Sequence, residues 1–100
     1  MIQGTTPTHI FTLPFDGEII HDVRIIYSQN DKVVFVKNSE DCTIRGNEVS
    51  TKLSQEETFL IDRHESVEIQ LRILTTTGEA LASVPKKVSV VKCLENEVFT

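Results

Sequence analysis

The segment Ser66-Val67-Glu68-Ile69-Gln70-Leu71-Arg72-Ile73 alternates apolar and polar side chains without interruption. Successive side chains of an extended strand point to opposite faces, so Val67, Ile69, Leu71 and Ile73 share one face and Glu68, Gln70 and Arg72 the other. On a helix those four apolar residues would be scattered around the circumference and form no stripe. The segment is therefore predicted to be an antiparallel strand with one dry face and one wet face. Most of the chain repeats this pattern in weaker form.

Thr8–Leu13 reads as a first strand, ended by Pro14, which cannot donate to a ladder. Asp16-Gly17 is a turn signal. Asp22–Gln29 places Val23, Ile25 and Tyr27 on one face and Arg24 and Ser28 on the other. Ile26 breaks this alternation, which leaves two options: a strand covered on both sides, or an apolar contact carried outward. Asn30 and Asp31 tolerate positive φ, as a two-residue hairpin turn requires. The returning strand is Lys32–Lys37, with an expected register of Gln29 opposite Lys32, Tyr27 opposite Val34 and Ile25 opposite Val36.

Cys42–Ile44 is a short strand, Arg45-Gly46-Asn47 a turn, and Glu48–Leu53 a strand with Val49, Thr51 and Leu53 inward. Ser54-Gln55-Glu56-Glu57 matches a capping box. It predicts one short helix near residues 54–60, with Phe59 and Leu60 closing an end of the core. Asp62–Glu65 is a charged loop. Thr75–Glu79 is a reversal in which Gly78 takes the positive φ. Ala80–Ser83 is a short strand, and Pro85 interrupts it at a bulge or a sheet switch. Lys87–Lys92 is the last strand. Seven or eight short strands joined by turns define an all-β protein, with an antiparallel β-sandwich favoured over a small barrel. Residues 1–94 form a single domain, and 95–100 are expected to be a flexible tail.

Chemistry is hard to find in this chain. With 15 acidic and 10 basic residues, it is a poor partner for nucleic acid. No apolar run approaches the ~20 residues that cross a bilayer, so no membrane contact is expected. The start lacks the features of a signal peptide, so the cytoplasm of the cell that makes it is the expected compartment of synthesis. Cys42 and Cys93 are expected to be free thiols in that compartment. His9, His21, His64, Cys42 and Cys93 lack metal-ligand spacing. Asp62-Arg63-His64-Glu65 reads as a solvated loop, and Glu56-Glu57 as the acidic first turn of the helix. There is no glycine-rich phosphate loop and no nucleophile elbow. A chain with no tryptophan and one tyrosine supplies little for stacking sugars or bases. No catalytic, cofactor-binding or metal residue is assigned, no cofactor is implied, and the chain reads as no enzyme. What remains is contact with another protein, through the first and last strands as open edges and through a face formed by Ile26, Glu68, Gln70 and Arg72.

Several segments resemble small virion-module proteins encoded in phages and prophages of Gram-positive gut bacteria. These are the stretch from Gln3 to Pro14, Ile26-Tyr27-Ser28-Gln29, Asp41-Cys42-Thr43, Gly46-Asn47, Leu53–Thr58, Val67–Arg72 and Thr76–Ser83. More distantly, the layout is similar to the immunoglobulin-like N-terminal domain of phage baseplate upper proteins, where an x-F-T-L strand, a polar hairpin, an L-T-x-E-x-T turn and a G-x-x-x-S reversal recur. The resemblance covers almost the whole chain and implies an immunoglobulin-like sandwich. It also implies a structural or interaction role in the tail, baseplate or head–tail region of a virion, with other virion proteins or further copies of the chain as partners. It transfers no functional residue. The alternative is a small ligand- or glycan-binding sandwich module.

Overall fold

The alternating segment is the inner strand of a five-stranded sheet in the computed structural model, which describes residues 1–100. This strand, β6 (Val67–Thr75), turns Val67, Ile69, Leu71 and Ile73 into the core at 0, 5, 4 and 5 % exposure. One edge of β6 pairs antiparallel with β2 (Ile20–Gln29), with Ile25 opposite Leu71 and Tyr27 opposite Ile69. Its other edge pairs with β7 (Ala80–Ala82) and then with β8 (Lys86–Val88). Between these two, Ser83 keeps the ladder intact: its N–H donates to the Leu71 carbonyl at 2.9 Å, and its hydroxyl accepts from the Leu71 N–H at 2.9 Å. Pro85 therefore marks a bulge within one sheet, not a switch between sheets.

The β2–β3 hairpin departs from the expected register. Asn30 and Asp31 take φ of 51° and 62°, the left-handed pair that a primed type I turn demands. Gln29 faces Lys32 as expected, and Ser28 faces Val33. A bulge then inserts Val34, so in β3 (Lys32–Lys37) it is Phe35 that faces Tyr27 and Lys37 that faces Ile25. Val33-Val34-Phe35-Val36 is apolar at every position, so parity alone cannot choose a register. The observed one stacks Phe35 on Tyr27, with centroids 4.6 Å apart and planes 22° from parallel, a favourable aromatic geometry.

The second sheet has three antiparallel strands in the order β1 (Thr8–Thr12), β5 (Glu48–Lys52), β4 (Cys42–Arg45). The orders β1-β5-β4 and β3-β2-β6-β7/β8 correspond to strands B-E-D and C′-C-F-G of an immunoglobulin-like sandwich. The last strand is three residues long, not Lys87–Lys92, because Val91 leaves β6 to bridge Ile2 in parallel. The core comprises Leu13, Val49 and Leu53 from the smaller sheet and its flanks, Val23, Ile25 and Tyr27 from β2, the four β6 residues, and Ile61.

The helix α1 (Gln55–Phe59) carries the full capping box: Ser54 Oγ accepts from the Glu57 N–H at 3.1 Å, and Glu57 Oε1 accepts from the Ser54 N–H at 2.9 Å. The residues that close the core are Thr58 and Ile61, both fully buried, while Leu60 is 62 % exposed and Phe59 half-buried. Three residues apart, Thr58 and Ile61 share the inward side of this turn. Phe59 instead lies over Gly4 (φ 76°), where a Cβ would come within 2.7 Å of its ring. Residues 95–100 have no regular structure. They are held to α1 by the Gln55 amide, which accepts from the Phe99 N–H at 2.6 Å and donates to its carbonyl at 2.8 Å.

Face parity makes a simple test. Leu71→Ala should cost about 2–5 kcal/mol of stability, as for a filled core site. Leu74→Ala, on the opposite face of the same strand, should cost less than about 1 kcal/mol. Urea denaturation of both variants measures the difference.

Candidate functional site

The β2–β6 register assembles the outer face of the larger sheet. Four cross-strand rows follow one another: Asp22 opposite Leu74, Arg24 opposite Arg72, Ile26 opposite Gln70, and Ser28 opposite Glu68. Ile26, Glu68, Gln70 and Arg72, singled out from the sequence, thus lie on one surface in three consecutive rows. Val36 extends the Ile26 row onto β3, and Lys87 extends the Glu68 row onto β8. Of the two options for Ile26, the structure takes the outward one: it is half-buried and lies on the wet face, in the same row as Gln70.

The charges on this face are not paired with one another. The only charged contacts within 4 Å are Lys37–Glu57 and, when the imidazole carries a proton, His64–Asp62, so Arg24, Arg72, Glu68 and Lys87 have no ionic partner. Two guanidinium groups directly opposite each other repel, and Arg24, which sequence reasoning missed, makes that pair with Arg72. Its contribution depends on the register, which periodicity does not reveal. Gln70 is less free than expected, because its Nε2 donates to the Ser83 carbonyl at 2.9 Å and braces the bulge. A shallow hollow of about 180 Å³ lies between Arg24, Arg72, Leu74 and Ala80, with Asp22 at its rim. The Asp22 carboxyl is held below its ordinary range by the Ser39 hydroxyl and the Val23 N–H.

A second group of titratable side chains, which no spacing or motif signals, sits between the sheets. His9 Nδ1 lies 2.6 Å from Tyr27 Oη. Burial keeps the imidazole neutral by lowering its pKa, and burial also pushes the Tyr27 phenol far up. The protonated phenol can therefore donate to Nδ1. The β3 bulge turns Lys37 inward, where Nζ donates to both carboxylate oxygens of Glu57 at 2.9 Å. Burial opposes ionisation of Glu57, but the Lys37 contacts and the Ser54 N–H outweigh it and hold the carboxyl below its ordinary value. Burial pushes the Cys42 thiol up, away from the reactive thiolate. Cys93, the other free thiol, is half-buried.

Gln29, an inward polar residue of β2, is the anchor of the charged loop. Its Nε2 donates to the carbonyls of Asp62 and Glu65 at 2.7 and 3.1 Å, and its Oε1 accepts from the Asp62 N–H at 2.8 Å. Asp62 itself accepts from the His64 N–H at 2.8 Å, which lowers its pKa. A wider, open depression of about 490 Å³ lies beside this loop, against Phe59, Leu60, His64 and Val98. Neither hollow touches His9, Tyr27, Lys37, Cys42 or Glu57. No helix is long and apolar enough to cross a membrane. Comparison with protein-family models, with curated proteins and with solved structures gives no match.

The buried groups carry a pH signature. His9 has a folded pKa below its usual 6.5, so between those values the unfolded chain binds more protons and stability rises with pH. The urea midpoint should climb from about pH 5.5 to about pH 7.5, near the ordinary histidine range, and His9→Gln should flatten that limb. Glu57 acts at lower pH: its contribution is complete above the ordinary glutamate value and lost as pH falls through its lowered one. Lys37→Met, which leaves this partly exposed carboxylate without its cation, should cost about 1.5–3 kcal/mol at neutral pH and less in acid.

Proposed function

We propose that this chain is a non-enzymatic structural or interaction domain that works through protein–protein contacts made by the outer face of the five-stranded sheet. One observation carries this reading: Ile26 and Val36 form an apolar row on a face that otherwise points to water, flanked by the unpaired charges Arg24, Arg72 and Glu68. An apolar centre with a polar, charged surround is the ordinary composition of a contact patch. The titratable groups between the sheets favour the same conclusion, since they are satisfied by one another and do not converge on either hollow.

The proposed setting is a phage or prophage particle, in its tail, baseplate or head–tail region, after synthesis in the host cytoplasm. Its support is the sequence resemblance of the segments from Gln3 to Ser83. Support for a small-ligand or glycan-binding module is thinner. Such a site needs convergent aromatic and polar groups, and the open depression beside α1 offers Phe59 and His64 as its rings.

Particles purified from the cell that encodes the gene test the proposal. The chain should co-purify with them, and Ile26→Asp should abolish incorporation while leaving the circular-dichroism spectrum unchanged. Particles that lack the chain would contradict the virion role. Incorporation unaffected by Ile26→Asp would contradict the use of this face.

A further inference from the structure

We infer that the outer face of the five-stranded sheet docks on the same face of a second copy of this chain, about a two-fold axis that crosses the strands at the level of Ile26 and Gln70. The inference rests on the contact reading above and names its partner. A closed dimer needs a self-complementary patch, and the row order supplies one. Counting from the central Ile26–Gln70 row, Arg24 and Arg72 lie one row to one side, and Ser28 and Glu68 one row to the other. An axis across the strands exchanges these two rows and keeps each strand above its counterpart. Arg72 then lies over the second copy's Glu68, and Glu68 over the second copy's Arg72. Arg24 lies over Ser28 of the second copy. Ile26 and Gln70 meet their own counterparts at the centre, and Val36, on the edge strand β3, meets its own at the margin of the patch.

The charges also select this axis over its competitor. An axis parallel to the strands, between β2 and β6, would stack Arg24 on the second copy's Arg72 and gather four guanidinium groups at one place. Like charges in that arrangement are strongly unfavourable across an interface. Lys87, beside Glu68, falls over Ala82 of the second copy, at the rim where its ammonium stays in water.

The area fits a reversible dimer. Four ribbons side by side (β3, β2, β6 and β7/β8) span roughly 19 Å, and the nine residues of β6 span roughly 30 Å. Two such faces bury at most about 1,100 Å² together, close to the roughly 1,000 Å² of a specific interface. Aligned packing of twisted sheets, at about −30°, moves the corners apart but leaves the rows next to the axis in register.

Sedimentation velocity on the full chain, from micromolar to millimolar concentration, tests the inference. The wild type should pass from monomer to dimer within this range. Arg72→Glu and Glu68→Arg should each weaken dimerisation by about tenfold or more, because each sets two like-charge contacts across the axis. Both positions lie on the wet face, and circular dichroism verifies that the variants fold. An equimolar mixture of the two variants should dimerise again, since every contact then joins a carboxylate to a guanidinium. The double variant Arg72→Glu/Glu68→Arg should do so alone. A wild type that stays monomeric throughout, a dimer that neither reversal weakens, or a mixture that does not recover would overturn the inference. A monomer that still enters particles in an Ile26-dependent way would overturn self-pairing and leave the contact reading standing. A charge-dependent dimer absent from particles would do the reverse for the virion role.

Discussion

Eight cross-strand pairs hold β2 against β6, and because side chains alternate, this register divides the two strands into dry and wet residues in a single step. Val23, Ile25 and Tyr27 meet Ile73, Leu71 and Ile69 on one side, and Arg24, Ile26 and Ser28 meet Arg72, Gln70 and Glu68 on the other. A slip of one residue would expose the first set and bury the second, guanidinium groups included. The core, the bulge at Ser83 and the composition of the outer face all inherit this choice. A contact surface on this protein is thus a by-product of the same pairing that builds its interior.

The bulge at Val34 breaks parity in β3, with consequences well beyond the hairpin. The inserted residue turns Lys37 inward, opposite Ile25, where an ammonium group without a partner would be costly. Glu57 supplies that partner. Its carboxylate is held in place because the same side chain closes the capping box of α1. One bulge in the larger sheet is thereby coupled to the helix that follows the smaller one. His9 and Tyr27 make a second polar link between the sheets. These tethers cross the sandwich where apolar packing alone would leave the relative position of the two sheets weakly specified.

Much of the architecture was legible because the signals were local. The inward residues of β5 and β6, the Asn30-Asp31 turn and the Ser54–Glu57 box each depend on residues a few positions apart, and each is present in the structure. The misses concern pairing at a distance. The β3 register was unreadable because Val33-Val34-Phe35-Val36 is apolar on both parities. Phe59 and Leu60 gave way to Thr58 and Ile61 because a single helical turn is oriented by its cap and its docking partners, not by hydrophobicity. Val91 left the final strand for Ile2, which no periodicity foreshadows. Of the outer face, four residues were visible as outliers or as polar members of an alternation. Arg24 was legible only as an outward residue and Val36 was expected inward, because only the register sets them beside Arg72 and Ile26.

The contact face stands or falls with the β2–β6 register, and interstrand nuclear Overhauser effects in a nuclear magnetic resonance spectrum of the labelled chain report that register directly. The expected cross-peaks join Arg24 with Arg72, Ile26 with Gln70, and Ser28 with Glu68, with slowly exchanging amides along β6. Cross-peaks displaced by one residue, joining Ile26 with Leu71, would contradict the account, for they would turn Arg24, Ile26 and the β6 charges away from a common surface.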